Sequence, residues 1–177
     1  MIRSKLFTTA FLVASALLGA SCSKTIDVAE ERRSANEAEF RAFADSTGFE
    51  RVTIPGITGT SFVYMKVTKA GDPNVPVDYT DNVHLFRDTY LTSDWRKEHW
   101  NARRIHQTLG TNAVPPEVGS LKIGLQIAVQ NLHEGAEATV VIPWYLNNIN
   151  TTTERTEAYT SLYVRLHLAK VIKPATN

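Results

Sequence analysis

The sequence predicts an α+β domain, and three stretches carry that prediction. Gly124 to Pro143 reads as a short apolar helix, a glycine stop and a buried strand. Leu125, Ala128 and Leu132 recur there at helical spacing, and the apolar run Ala136 to Ile142 is closed by Pro143, which cannot donate to a central ladder. Leu162, Val164, Leu166 and Leu168 alternate with Tyr163, Arg165 and His167, the period of two of a strand with one buried face. Phe62 to Val67 is a third strand by its β-rich composition. An apolar helix that feeds straight into an apolar strand has to pack onto a sheet.

The chain opens with a leader pattern. Arg3 and Lys5 form a basic n-region, and Leu6 to Leu18 is an apolar run too short to span a bilayer comfortably. Gly19, Ala20 and Ser21 then precede Cys22, the single cysteine, which leaves no partner for an intramolecular disulfide. The pattern resembles a bacterial lipoprotein signal, cleaved before a cysteine that becomes lipidated. It departs at one point, since Leu18 stands four residues before the cysteine where the usual leucine stands three before. The resemblance implies a signal peptide at 1–21, a lipid anchor with spacer helix and linker at 22–60, and lipidation of Cys22. The expected address is the bacterial cell envelope, lipid-anchored at the outer membrane. A plain signal peptide that ends near a cysteine is the other reading.

Asp27 to Asp45 is rich in Ala, Glu and Arg, holds no Gly or Pro, and predicts a helix stopped by Gly48. Phe40 and Phe43 are expected to dock that helix on its own domain, because a dimer seam needs several heptads. Val52 to Gly59 reads as irregular linker and Ala70 to Asn74 as a turn. Asp81 to Leu91 is a strand with Val83, Leu85 and Arg87 on one face. Leu91 to Thr111 is the least regular part, with Trp95 and Trp100 among Arg96, Lys97, Arg103 and Arg104. Asn112 to Ser120 is a loop; His133, Glu134 and Gly135 are expected to end the central helix, with Gly135 left-handed. Asn147 to Glu157 is a polar, Thr-rich connection.

Composition narrows the function classes. Hydrophobic residues make up 43% and charged residues 21%, an ordinary globular balance. Net charge is +1, and removing Arg3 and Lys5 with the leader leaves 17 bases against 18 acids, or −1. That balance gives no electrostatic reason for nucleic acid as a partner. His84, His99, His106, His133 and His167 are scattered without metal-ligand spacing, so no metal is expected. No Gly-x-Ser-x-Gly elbow or phosphate-cradling loop is present, and no cofactor is expected.

Residues 124–143, Gly-Leu-Gln-x-Ala-Val-x-x-Leu-x-x-Gly-x-x-Ala-Thr-Val-Val-Ile-Pro, resemble the second half of FKBP-type peptidyl-prolyl isomerases. Leu162 to Val171 resembles the last strand of that family, and the likeness covers roughly residues 61–173. It implies an FKBP-like domain at 61–173, with an antiparallel sheet of about five strands curled around one short helix, preceded by the N-terminal helix. It also implies cofactor-free isomerisation of X-Pro bonds, in a pocket that grips the proline ring with aromatic side chains. The partners so implied are proline-containing segments or envelope proteins.

Carried over residue by residue, the pocket changes character. The family's pocket tyrosine falls at Arg87, and its phenylalanine before Leu-Gly falls at Ile105. The Val-Ile pair before the helix falls at Leu121-Lys122, or at Leu121 and Ile123 if the register slips. The tryptophan floor is Leu125, the tyrosine donor after Ile-Pro is Asn148, and the last-strand aromatic is Val164. Arg87 needs hydration or a carboxylate, with Asp88 and Asp94 nearest in sequence. Each aromatic-to-aliphatic change removes on the order of 1–3 kcal/mol of contact and ring interactions. Catalysis is therefore expected to be weak or lost. The alternative is a non-catalytic structural or binding subunit of an envelope complex.

Overall fold

The structure is a computed structural model that describes residues 27–56, 59, 61–94, 97–99, 103–108, 114–154 and 156–175. The expected signal peptide, Cys22, Trp95, Arg96, Trp100, Leu109 and Gly110 lie outside the described residues.

The chain enters through α1, Val28–Arg41. Asp27 caps it, accepting from Ala29 N–H at 3.0 Å and Glu30 N–H at 3.4 Å. Glu30 and Glu31 in the first turn and Arg41 in the last complement the helix dipole. A 3-10 turn, Ala42–Asp45, prolongs it, and Gly48 ends the segment at φ 78°. The strands follow as β1 Glu50–Val52, β2 Val63–Lys69, β3 Asp72–Pro76, β4 Asn82–Leu91 and β5 His106–Gln107. Next come α2 Ile123–Gln130, β6 His133–Glu134, β7 Glu137–Ile142, α3 Trp144–Asn147 and β8 Leu162–Ile172.

Six strands form one sheet in the order β1-β2-β7-β8-β4-β5, every neighbour pair antiparallel. The alternation of side chains along strands decides what each face does. Val63, Met65, Val83, Leu85, Val140, Ile142, Val164, Leu166 and Leu168 point to one face and are buried against Leu125, Ile127, Ala128, Val129 and Leu132. The intervening Tyr64 and Val141 bury on the opposite face against Phe40 and Phe43, which are 4% and 0% exposed. The N-terminal helix thus docks on its own domain. Its aromatic contacts include Phe40 to Tyr64 at 5.0 Å and Phe43 to Phe49 at 5.3 Å between ring centroids. The molecule is a three-layer α+β fold: α1, sheet, α2.

Three details depart from the sequence expectation. Glu50–Val52, placed at the edge of the expected linker, pairs with Val63, Tyr64 and Met65 as the sheet's outer strand. Asp72–Pro76, expected as a turn, pairs with β6 as a separate two-stranded ribbon. Pro73 and Pro76 are tolerated because β3 is an edge strand. The central helix ends at Gln130, earlier than expected, because the Asn131 side chain stops it. Its Nδ2 donates to Ile127 O at 2.8 Å and Thr53 O at 2.7 Å, satisfying a last-turn carbonyl. His133 and Glu134 therefore belong to β6. Gly135 is left-handed as expected, φ 82°, but in the turn from β6 to β7.

Gly124 sets how closely α2 lies on the sheet. A Cβ there would overlap Cγ2 of Ile142 and stand 3.3 Å from its Cβ. Only glycine permits this approach of helix to strand. Among the described residues no helix is long and apolar enough to cross a membrane.

Candidate functional site

Between the start of α2, β4 and the segment that leads into α2 lies an open cleft of about 540 Å³. Leu85 and Arg87 of β4 form one wall, Leu121, Lys122 and Leu125 the other, and His106 to Thr108 the rim. A smaller hollow of about 200 Å³ continues from it and shares Arg87, His106 and Leu125. Its floor and sides are aliphatic: Ile105, Leu125, Ile142, Leu162 and Val164, with Asn147 at the edge.

Local hydrogen bonds position each wall. Gln126 Nε2 donates to Gly119 O at 2.9 Å and to Leu121 O at 2.7 Å, so α2 holds Leu121 at the cleft margin. Val83 N–H donates to Pro116 O at 3.0 Å, and Val118 N–H to Asp81 O at 2.8 Å, tying the preceding loop to β4. On the far side, Ile105 N–H donates to Thr89 O and Thr108 N–H to Arg87 O, each at 2.9 Å. Those two bonds clamp the short β5 beside β4, which puts Ile105 and His106 over the hollow.

Asn147, Arg87 and His106 are polar side chains in the lining of this apolar hollow. The Asn147 Nδ2 is buried and has no hydrogen-bond partner among the described residues. A buried donor left unmatched costs about 1–3 kcal/mol until a carbonyl meets it. Arg87 is half-buried, and burial pushes its guanidinium pKa below the ordinary arginine value. His106 is held below the ordinary histidine value by burial and by the charge of Arg87.

Of the sequence-predicted positions, Arg87, Ile105, Leu121, Leu125 and Val164 meet around the two connected hollows. Ile123 does not: it is 49% exposed at the first position of α2 and lines neither. Asn148 does not either. It is exposed, left-handed at φ 57°, and caps α3, while its neighbour Asn147 reaches the hollow. Arg87 pairs with neither of the carboxylates nearest in sequence. Asp88 is bound to Arg104 at 3.3 Å, and Asp94 to Lys97 at 2.9 Å and Arg103 at 3.2 Å. Lys122, the in-register second member of the expected Val-Ile pair, lines the cleft where Ile123 does not; Asn147 and His106 lie in the site without having been singled out. The only signal for them was adjacency to predicted positions. Among the described residues, no phenylalanine, tyrosine or tryptophan lines either hollow. No group of three or more His, Cys, Asp or Glu side chains there could hold a metal ion.

No family model and no curated protein matches the sequence. Solved structures do match the fold. A peptidyl-prolyl cis-trans isomerase from Pseudomonas syringae pv. tomato DC3000 superposes with a TM-score of 0.64 at 17% identity, covering 81% of this chain and 96% of that one. FkpA from Escherichia coli gives a TM-score of 0.57 at 16% identity, over 97% of this chain and 74% of that one. The structure of the three FKBP domains of wheat FKBP73 gives 0.50 at 16% identity, over 62% of this chain and 44% of that one. The domain has an FKBP-like fold.

Proposed function

We propose that this chain is an envelope-anchored lipoprotein whose FKBP-like domain holds proline-containing segments of envelope proteins, with prolyl isomerisation as a weak activity. One observation carries the reading. Five positions that the resemblance assigns to a proline pocket, Arg87, Ile105, Leu121, Leu125 and Val164, line two adjoining hollows, and none of them is aromatic.

The physical argument runs from the barrier. Rotation about an X-Pro bond must cross roughly 18–20 kcal/mol. A ten-thousandfold acceleration requires about 5.4 kcal/mol of selective transition-state stabilisation. Ile105, Leu125, Leu162 and Val164 line the hollow with aliphatic side chains that suit a proline ring, with Asn147 at its edge. A smaller floor, an amide in place of a phenol and a hydrated charge at Arg87 stabilise a twisted amide less than an enclosed aromatic pocket does. Binding is retained better than catalysis, because ground-state contacts with a ring survive the change while the transition-state terms do not.

The kcat/KM on a Leu-Pro or Phe-Pro peptide tests this. The expected value lies at least a hundredfold below that of an FKBP-type isomerase with an intact aromatic pocket, a loss of about 2.7 kcal/mol. Activity within tenfold of such an enzyme refutes the weight given to the missing aromatics. Binding without any turnover favours the second reading, a non-catalytic binding subunit of an envelope complex, which the loss of every pocket aromatic supports. Anchoring through Cys22 is tested by the intact mass of the mature chain; an unmodified thiol at that residue overturns it.

A further inference from the structure

We propose that the Arg87 guanidinium docks a carboxylate, so that the cleft selects proline-containing segments with an aspartate or glutamate next to the proline. The inference rests on the segment-holding function just proposed. Its first support is an unmet charge. The Arg87 side chain makes no ion pair or hydrogen bond among the described residues. The acids nearest along β4 and the adjoining turn are committed elsewhere: Asp88 to Arg104, and Asp94 to Lys97 and Arg103. A shallower hollow that also borders Arg87 contains Glu137, which pairs with Lys69 at 3.7 Å. A half-buried cation without a partner is costly, and an incoming anion recovers that cost.

The second support is the sign of the whole site. The larger cleft is lined by the cations Arg87 and Lys122, and among the described residues neither it nor the smaller hollow has an acidic residue in its lining. Like charges in a concave, low-dielectric surface reinforce one another and concentrate anions. The third support is position. Arg87 lines both the open cleft and the smaller aliphatic hollow beside it. A ring seated in that hollow therefore brings its sequence neighbour to the guanidinium. Arginine suits that task, since its planar fork bonds a carboxylate through two parallel N–H groups. A small inorganic anion makes no use of the apolar floor beside it. An acidic side chain on a segment that continues along the cleft uses both.

Fluorescence anisotropy with the purified chain tests the assignment. The probes are peptides blocked at both ends, Ala-Glu-Pro-Phe and its Gln isostere, together with an Ala-Gln-Pro-Phe form carrying a free C-terminal carboxylate. The blocked Glu peptide is expected to bind about tenfold tighter than the blocked Gln peptide, equivalent to about 1.4 kcal/mol. Added salt should narrow that ratio. Arg87→Gln should bring the two peptides to equal affinity. Equal binding of the Glu and Gln peptides by the wild-type chain overturns the carboxylate assignment and leaves segment holding intact. Binding of neither peptide overturns both. A preference that survives Arg87→Gln puts the anion site elsewhere, and a gain confined to the free C-terminal carboxylate overturns the side-chain source. The wild-type comparison needs no variant, so a misfolded Arg87→Gln cannot rescue the proposal.

Discussion

Replacing Gly124 by alanine adds one methyl group where helix and sheet lie in close contact. Two effects oppose each other. Alanine is the better helix former, by about 0.5–1 kcal/mol in a helix interior, and by less in the first turn where Gly124 sits. Against this, the new Cβ overlaps the Cγ2 of Ile142, a side chain with no exposed surface. Ile142 is branched and lies in β7, so it cannot swing away as the end of a lysine can. Overpacking of this kind costs about 1–3 kcal/mol. The expected net effect is a loss of about 1–2 kcal/mol, measured as a lower urea midpoint at unchanged slope. A double-mutant cycle isolates the cause. Ile142→Ala alone should cost about 2–5 kcal/mol through its cavity. On the Gly124→Ala background it should cost at least about 1 kcal/mol less, because the added methyl then has room. Additive losses would show that the two residues do not compete for space. The displacement also reaches the site, since the next residue, Leu125, and Ile142 share the hollow's floor. Peptide affinity should therefore fall in Gly124→Ala even under conditions where the variant is fully folded.

Two further outcomes follow from other parts of the molecule. Phe43→Ala removes a fully buried ring that holds the N-terminal segment on the sheet, and should cost about 3–5 kcal/mol; a loss below about 1 kcal/mol in equilibrium unfolding refutes the docking of that segment as an integral layer. Glu134 accepts the Val171 N–H at 2.9 Å and pairs with Lys170 at 3.0 Å, and these contacts hold its carboxyl below the ordinary glutamate value. Its folded pKa lies below the unfolded one, so its stabilisation is full above about pH 4.3 and disappears as the pH falls through the folded value. Glu134→Gln should lower stability by about 1 kcal/mol at pH 7 and converge with wild type in stronger acid; a gap of equal size in urea titrations at both pH values refutes that linkage.

The legible part of this fold is the part that burial makes periodic. Leu125, Leu132, Val140, Ile142, Leu166 and Leu168 share a single core cluster, because α2, β7 and β8 each bury one side and each writes that side into its spacing. The illegible part consists of elements too short to carry a period. β5 and β6 are two residues each, and their backbone partners come from segments distant in sequence. Their residues also look like turn or loop, and β3 contains two prolines. The same reason accounts for the one-residue error between Asn148 and Asn147. They end a single turn of helix, where a step of one rotates the side chain by about 100°, and four residues offer no repeat to set the phase. Ile123 was an offset of the opposite kind. At the first position of α2 it projects to solvent while Leu125, two residues on, projects to the floor.

The position of β8 has a consequence for the order in which the molecule can be made. β1, β2 and β7 form one part of the sheet and β4 and β5 the other, and β8 alone joins them. Val83 must wait for Val171, and Leu85 for Leu168, before either finds its partner. At roughly 5–20 residues per second of synthesis, that wait lasts on the order of 5–20 s. Through most of it the two-residue β5 is the only sheet neighbour β4 has among the described residues. A chain halted before Leu162 carries two unjoined pieces of sheet with open edges, which is the form most prone to pair with other chains. The two parts of the sheet can therefore join only after the last strand has been delivered.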